Sequence, residues 1–135
     1  IVCKVAYGIY EKLHVYGNDW PTFDGTGIRD FIHVMDLADS HLSALEYLEK
    51  NDPQILDLNI GTGIGTSVLE LINTFQEVNG CKVPHDFCNR RPGDVDVVIA
   101  DNAKALTLLE WHPKKKLYDM CRDGWLWQKQ NPNGF

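Results

Sequence analysis

A chain of 135 residues has the length of one domain and enough material to bury roughly two thirds of its unfolded surface, so a core is expected. Its formal charge of −6, from 13 Lys plus Arg against 19 Asp plus Glu, argues against nucleic acid or an anionic membrane surface as the main partner, so any anion must meet a local basic cluster. No apolar run reaches the roughly 18 residues of a membrane helix, and the opening Ile1–Gly8 carries a lysine and no cleavage signature, which predicts a soluble, cytoplasmic protein.

The pattern alternates short strands and helices without repeats, an α/β sequence. Ile1 opens in what reads as the middle of a helix, as expected of a fragment or partial reading frame. Leu13–Tyr16 reads as a strand, followed by a Gly/Asp/Pro-rich loop from Gly17 to Asp30 and a second strand over Phe31–Val34. A helix is predicted at about 36–50, where Ala38, Leu42 and Leu45, with Leu37, Ala44 and Leu48, make a broad apolar face. Asn51-Asp-Pro53 stops it.

Ile55–Ile60 reads as a strand with Leu56, Leu58 and Ile60 on one face, and the turn Gly61–Gly65 opens onto a helix. Ser67 and Glu70 have the spacing of a capping box, Val68, Leu71, Ile72, Phe75 and Val78 form the buried stripe, and Gly80 ends the helix. Strands are predicted at Val83–Cys88 and Val97–Ala100. Asp101 caps a helix running to Glu110, and a last helix spans Leu117–Gln130. On that helix Trp125 and Trp127 cannot share a face, so one is expected in the core and the other at the surface.

The four cysteines lack Cys-x-x-Cys spacing and read as reduced thiols. Cys81, His85 and Cys88 suggest metal ligands by type, but an extended strand does not make all three converge, and no metal is expected. Gly61-x-Gly-x-Gly65, between a strand and a helix, invites a dinucleotide site. Its third glycine comes one residue early and no acidic residue ends a strand about twenty residues on, so a plain tight turn is favoured. Arg90-Arg-Pro-Gly-Asp94 offers bidentate donors for a diphosphate and a carboxylate for ribose hydroxyls; alternatively it is a solvated turn whose arginines pair with nearby acids. Arg29 sits where a glycine loop enters a strand, able to fold over a ligand or to pair with Asp30 or Asp36.

Five strings, in order, resemble the UDP-glucose 4-epimerases: Val15-Tyr-Gly-Asn-Asp-Trp-Pro-Thr22, Asp24-Gly-Thr-Gly-Ile-Arg-Asp-Phe-Ile-His-Val-Met-Asp-Leu-Ala-Asp39, Asn59-Ile-Gly-Thr-Gly63, Arg90-Arg-Pro-Gly-Asp94, and the tail Trp125-Leu-Trp-Gln-Lys-Gln-Asn-Pro-Asn-Gly-Phe135. The resemblance covers essentially the whole chain. It implies the C-terminal, UDP-sugar-binding part, residues 1–135, of a Rossmann-type extended short-chain dehydrogenase/reductase, incomplete without its N-terminal NAD domain. It also implies a homodimeric parent enzyme that interconverts UDP-glucose and UDP-galactose through hydride exchange with NAD at sugar C4.

By the same resemblance Arg29 and Arg91 hold the diphosphate, Asp94 the ribose, and the backbone of His14, Val15 and Tyr16 the uracil. Val98 stands where the family gates the sugar 2-substituent, and a small side chain there implies room for UDP-N-acetylhexosamines. His33 and Asp36 match framework positions without catalytic roles. No tyrosine here has the lysine four residues on that the family's proton chemistry uses, and no NAD loop is present. The chain alone is therefore expected to be inactive, with no catalytic or cofactor-binding residue, and the apolar faces of 36–50 and 56–60, which pack on the NAD domain in the family, are expected to lie open. Two departures are Ile9-Tyr10, in place of a basic pair, and Glu110, in place of a glycine at a left-handed helix end. Another nucleotide-sugar dehydratase or decarboxylase, or a non-catalytic nucleotide-sugar-binding remnant, is the alternative.

Overall fold

The computed structural model describes residues 1–134; Phe135, the closing aromatic of the tail, lies outside the described residues. In chain order the elements are α1 (Val2–Ala6), β1 (Leu13–Tyr16), β2 (Ile28–Arg29), α2 (Val34–Lys50), β3 (Thr66–Ser67), α3 (Val68–Asn79), β4 (His85–Cys88), β5 (Val97–Val98), α4 (Ala103–Leu109) and α5 (Leu117–Gln130). β1 and β4 pair in parallel, Leu13 opposite His85 and Tyr16 opposite Cys88. A second sheet has the order β3-β2-β5, with β3 antiparallel and β5 parallel to β2. No helix among the described residues is long and apolar enough to cross a membrane.

The core forms where α3 and α5 meet over β1. Ile72 and Phe75 of α3, Val15, Val83, Val5 and Cys121 make one buried cluster. α3 is set by its own sequence: Ser67 Oγ accepts from Glu70 N at 2.9 Å, and Glu70 Oε2 accepts in return from Ser67 N at 3.4 Å. Gly80 closes the helix at φ 60°, a left-handed conformation that suits glycine. Trp125 of α5 meets the Phe75 ring edge-on at 5.8 Å while Trp127 is 42% exposed, the division expected of residues two apart on a helix. Burial pushes the Cys121 thiol up to about 11. Glu110 takes φ 49° at the end of α4, the left-handed position expected for it.

Several expected elements differ. Phe31–Val34 is not a strand: β2 lies earlier, and residues 30–33 lead directly into α2, which begins at Val34 because His33 caps it, Nδ1 accepting from Met35 N at 3.0 Å. Ile55–Ile60 keeps its alternation, with Leu56, Leu58 and Ile60 half-buried and Ile55 95% exposed, but pairs with no strand among the described residues. Periodicity marks extended chain; a ladder also needs a partner. At α4 the cap position falls to Asn102, with Asp101 Oδ1 accepting from Ala103 N at 3.3 Å, and β5 stops at Val98 instead of Ala100.

α2 has its polar side inward. Asp36 and Ser40 are buried, whereas Val34, Met35, Leu42, Leu45 and Leu48 are each more than half exposed. Asp36 Oδ2 accepts from Lys114 N at 3.1 Å and Lys115 N at 2.8 Å, and so ties α2 to the segment before α5.

Asp24 makes the matching tie at the start of α3. Oδ1 accepts from Thr26 N at 2.9 Å and Thr26 Oγ1 at 2.8 Å, and Oδ2 accepts from Ser67 Oγ. Burial alone would raise this carboxyl, but the bonds from Ser67 and Thr26 outweigh it and hold it below the ordinary range. A folded-state pKa below the unfolded value means the contribution is fully present above the unfolded pKa of about 3.9 and is lost as pH falls through the folded value. Asp24→Asn should therefore lower the denaturant midpoint at pH 7, and the gap to the parent chain should close as the pH is taken below about 4. A gap independent of pH would contradict the assignment.

Candidate nucleotide-sugar site

The β2–β5 pairing brings Arg29 opposite Val98, so the two expected site residues are neighbours on one ladder. Both line a cleft of about 480 Å³ with Asp30, Leu58, Ile60 and Asp101. Arg29 pairs with neither Asp30 nor Asp36. Its Nη1 donates to Ile28 O at 2.7 Å and Asp96 O at 3.4 Å, and Nη2 donates to Val95 O at 3.0 Å. A guanidinium has five N–H donors, so these three bonds fix the side chain and leave two donors for an anion.

Beneath Arg29, Asp30 organises the cleft. Oδ1 accepts from Thr62 N at 2.9 Å and from Thr62 Oγ1, and Oδ2 accepts from Gly63 N at 2.9 Å and Ala100 N at 3.3 Å. This settles the role of the glycine turn, because the N–H groups of Thr62 and Gly63 that would cradle a phosphate already hold a carboxylate. The turn therefore does not fit a dinucleotide. Gly61 is required by closeness: a Cβ there would stand 2.5 Å from Asp30 Oδ2 and 2.6 Å from Ala100 Cβ.

The remaining site residues gather at the end of β1. Arg91 Nε donates to Asp94 Oδ2 at 2.9 Å and Nη2 to Asp94 Oδ1 at 3.3 Å, while the guanidinium lies 4.5 Å from the Tyr16 ring centre. The Asp94 carboxylate raises the Arg91 pKa further. Val15 is buried in the core, which anchors β1, and His14 and Tyr16 face outward. The 91–96 segment joins the two halves, since Asp94 holds Arg91 and Val95 and Asp96 receive Arg29.

Arg90, read from the sequence as either a diphosphate donor or a turn arginine paired with nearby acids, has the second arrangement, though its acid is not local. It stacks on Trp20 at 3.8 Å and donates from Nε to Asp19 Oδ1 at 2.7 Å, which pins the 17–20 turn against the Arg-Arg-Pro-Gly segment. The Asp19 carboxyl is held low by this arginine. The available signal was a Trp in one loop and a second Arg in another, 70 residues later in sequence, and such a pair is visible only once the fold joins them.

The family model described as GDP-mannose 4,6-dehydratase matches residues 1–124. The UDP-glucose 4-epimerase of Bacillus subtilis is 50% identical over 134 residues, covering 99% of this chain and 39% of that protein. UDP-glucose 4-epimerase 3 of Oryza sativa is 50% identical over 133 residues, covering 98% and 36%. Among solved structures, the UDP-glucose 4-epimerase of Bifidobacterium longum in complex with NAD+ and UDP superposes with a TM-score of 0.93 at 41% identity, over 99% of this chain and 39% of that one. The enzyme from Stenotrophomonas maltophila with bound NAD and formylated UDP-arabinopyranose gives 0.91 at 46% identity, over 96% and 38%. The chain thus spans about two fifths of the length of these relatives and corresponds to their C-terminal portion.

If Asp30 and its close-packed turn set the cleft, Gly61→Ala should destabilise the chain by about 1–3 kcal/mol, the usual cost of overpacking. Gly124→Ala is the control. It lies within α5 with only Cys3 Sγ at 3.5 Å, and should stabilise by up to about 1 kcal/mol. Urea unfolding of the two variants distinguishes them, and a neutral Gly61→Ala would show that the turn is not tightly held.

Proposed function

The chain belongs to the family of the GDP-mannose 4,6-dehydratase model, with UDP-glucose 4-epimerases as its relatives, and we propose that it forms the UDP-sugar-binding portion of such an epimerase. The observation that carries this reading is the arrangement of Arg91 and Asp94 against Tyr16, joined through residues 95 and 96 to the anchored Arg29. Two arginines on either side of one short segment suit a diphosphate, which accepts bidentate, charge-assisted bonds. Asp94 then turns to the ribose, and the backbone of His14, Val15 and Tyr16 lies along the uracil.

The complete enzyme interconverts UDP-galactose and UDP-glucose by hydride exchange with NAD at sugar C4. The NAD and the catalytic groups come from outside this chain, whose glycine turn is already filled by Asp30. The chain's own share is to hold and orient the UDP-sugar. The outward apolar residues of α2, together with Leu56, Leu58 and Ile60, pack on the rest of the enzyme; so many large apolar side chains on one helix face are rarely left in water. Val98, opposite Arg29, is small, so UDP-N-acetylhexosamines fit as well as the plain hexoses. We place the complete enzyme in the cytoplasm as a homodimer, in keeping with cysteines that are all free thiols.

Arg91→Ala, made in the complete enzyme and titrated with UDP-galactose by calorimetry, should lose about 2–5 kcal/mol, tens- to thousands-fold in affinity. An unchanged dissociation constant removes Arg91 from the site. In the parent enzyme UDP-N-acetylgalactosamine should be turned over, and no detectable activity on it alongside normal activity on UDP-galactose would contradict the reading of Val98.

A further inference from the structure

On the solvent face of the β1–β4 ladder, His14 stands opposite Asp86, and Cys88 follows two residues on, on the same side of its strand as Asp86. His14 Nδ1 lies 2.6 Å from Asp86 Oδ1 and 3.5 Å from Cys88 Sγ, and the three atoms are all within 4.8 Å of one another. Imidazole, carboxylate and thiol in a row suggest two chemistries. A proton relay needs acid and thiol on opposite ring nitrogens, so that one receives the proton and the other orients the base. Here both face Nδ1. Three ligand atoms within 4.8 Å of one another instead suit a shared centre.

We propose that His14, Asp86 and Cys88 form a binding site for a divalent transition-metal cation, of which zinc is the best match. A thiolate and an imidazole select against magnesium and calcium, which take oxygen ligands, and three protein ligands leave a fourth tetrahedral position for water. Asp86 is preset for this role. Lys12 Nζ holds Oδ2 at 2.7 Å, leaving Oδ1 on the side of His14 and Cys88.

Loading is balanced in protons: the Cys88 thiol gives its proton to solvent, and the proton between His14 Nδ1 and Asp86 Oδ1 passes through water to Nε2, so the neutral imidazole coordinates through a bare Nδ1. The cation takes the place of the hydrogen between His14 and Asp86. Their 2.6 Å separation must widen to about 3.3 Å, the spacing of ligand atoms about 2.0 Å from a tetrahedral centre. Both side chains are more than a third exposed, so they can rotate outward without disturbing the core. The histidine that meets Cys88 comes from β1; His85, three residues before Cys88, faces Phe87 edge-on instead.

The test is equilibrium binding of zinc chloride to the purified chain by competition with a chromophoric chelator, beside cobalt substitution read through its thiolate charge-transfer band. One zinc per chain is expected. Cys88→Ser should abolish the cobalt–thiolate band, and His14→Gln, Asp86→Asn and Cys88→Ser should each weaken zinc by about 100-fold or more, since even outer partners of metal ligands are worth about 10–100-fold. Cys81→Ser and His85→Gln should leave both signals unchanged. Circular dichroism confirms that the surface variants fold. No zinc affinity above that of the triple variant, or a cobalt–thiolate band that survives Cys88→Ser and disappears in Cys81→Ser, would overturn the proposal.

Discussion

Carboxylates that accept backbone N–H groups hold this fold in the places where a larger sheet would normally do so. The two sheets contain only short strands, three of them two residues long, and so supply few ladder bonds. Asp24, Asp30 and Asp36, six residues apart, take over. Asp24 fixes the start of α3, Asp30 gathers the Gly61–Gly65 turn and Ala100, and Asp36 ties α2 to residues 114 and 115. Charge-assisted bonds of this kind are about twice as strong as neutral ones, and losing the carboxylate leaves part-buried N–H groups unpaired. Without Asp30, the turn and Ala100, two residues past the end of β5, lose their common anchor, and the register that sets Val98 beside Arg29 loses support.

The two arginines proposed for the diphosphate are held in different ways, and this bears on how such a ligand would enter. Arg29 is fixed by backbone carbonyls of residues 28, 95 and 96, so its orientation is set before any ligand arrives. Arg91 is paired with Asp94 on the surface. A pair near the surface contributes only about 0–1 kcal/mol, so on the proposed reading exchanging Asp94 for a diphosphate would cost little and would free the carboxylate for a hydroxyl. Preorganisation on one side and a cheap exchange on the other both favour binding.

What could be read from the sequence was local. α3 was legible because its capping box, apolar stripe and terminal Gly80 lie within fourteen consecutive residues, and the left-handed Glu110 was legible from its place at a helix end. Phe31–Val34 and Ile55–Ile60 misled because alternation reports an extended chain while pairing depends on distant strands. The same distance hid the working contacts. Asp30 meets residues 32 and 70 positions away, Arg90 meets Asp19 across 71, and His14 meets Asp86 across 72. The family strings singled out Arg29, Arg91, Asp94 and Val98 as candidates, but gave no hint that Arg29 rests on carbonyls or that the glycine turn is filled by an aspartate.

The account stands on one spatial claim, that a UDP group lies between Arg29 and the Arg91–Asp94 pair with its base along β1. Amide chemical-shift mapping of the isotope-labelled complete enzyme during titration with UDP tests it directly. The predicted result is that shifts concentrate at His14–Tyr16, Arg29, residues 91–96 and Val98, with the Asp30-filled turn at 61–65 unmoved. Shifts centred on that turn, with Arg91 and Tyr16 silent, would contradict the account.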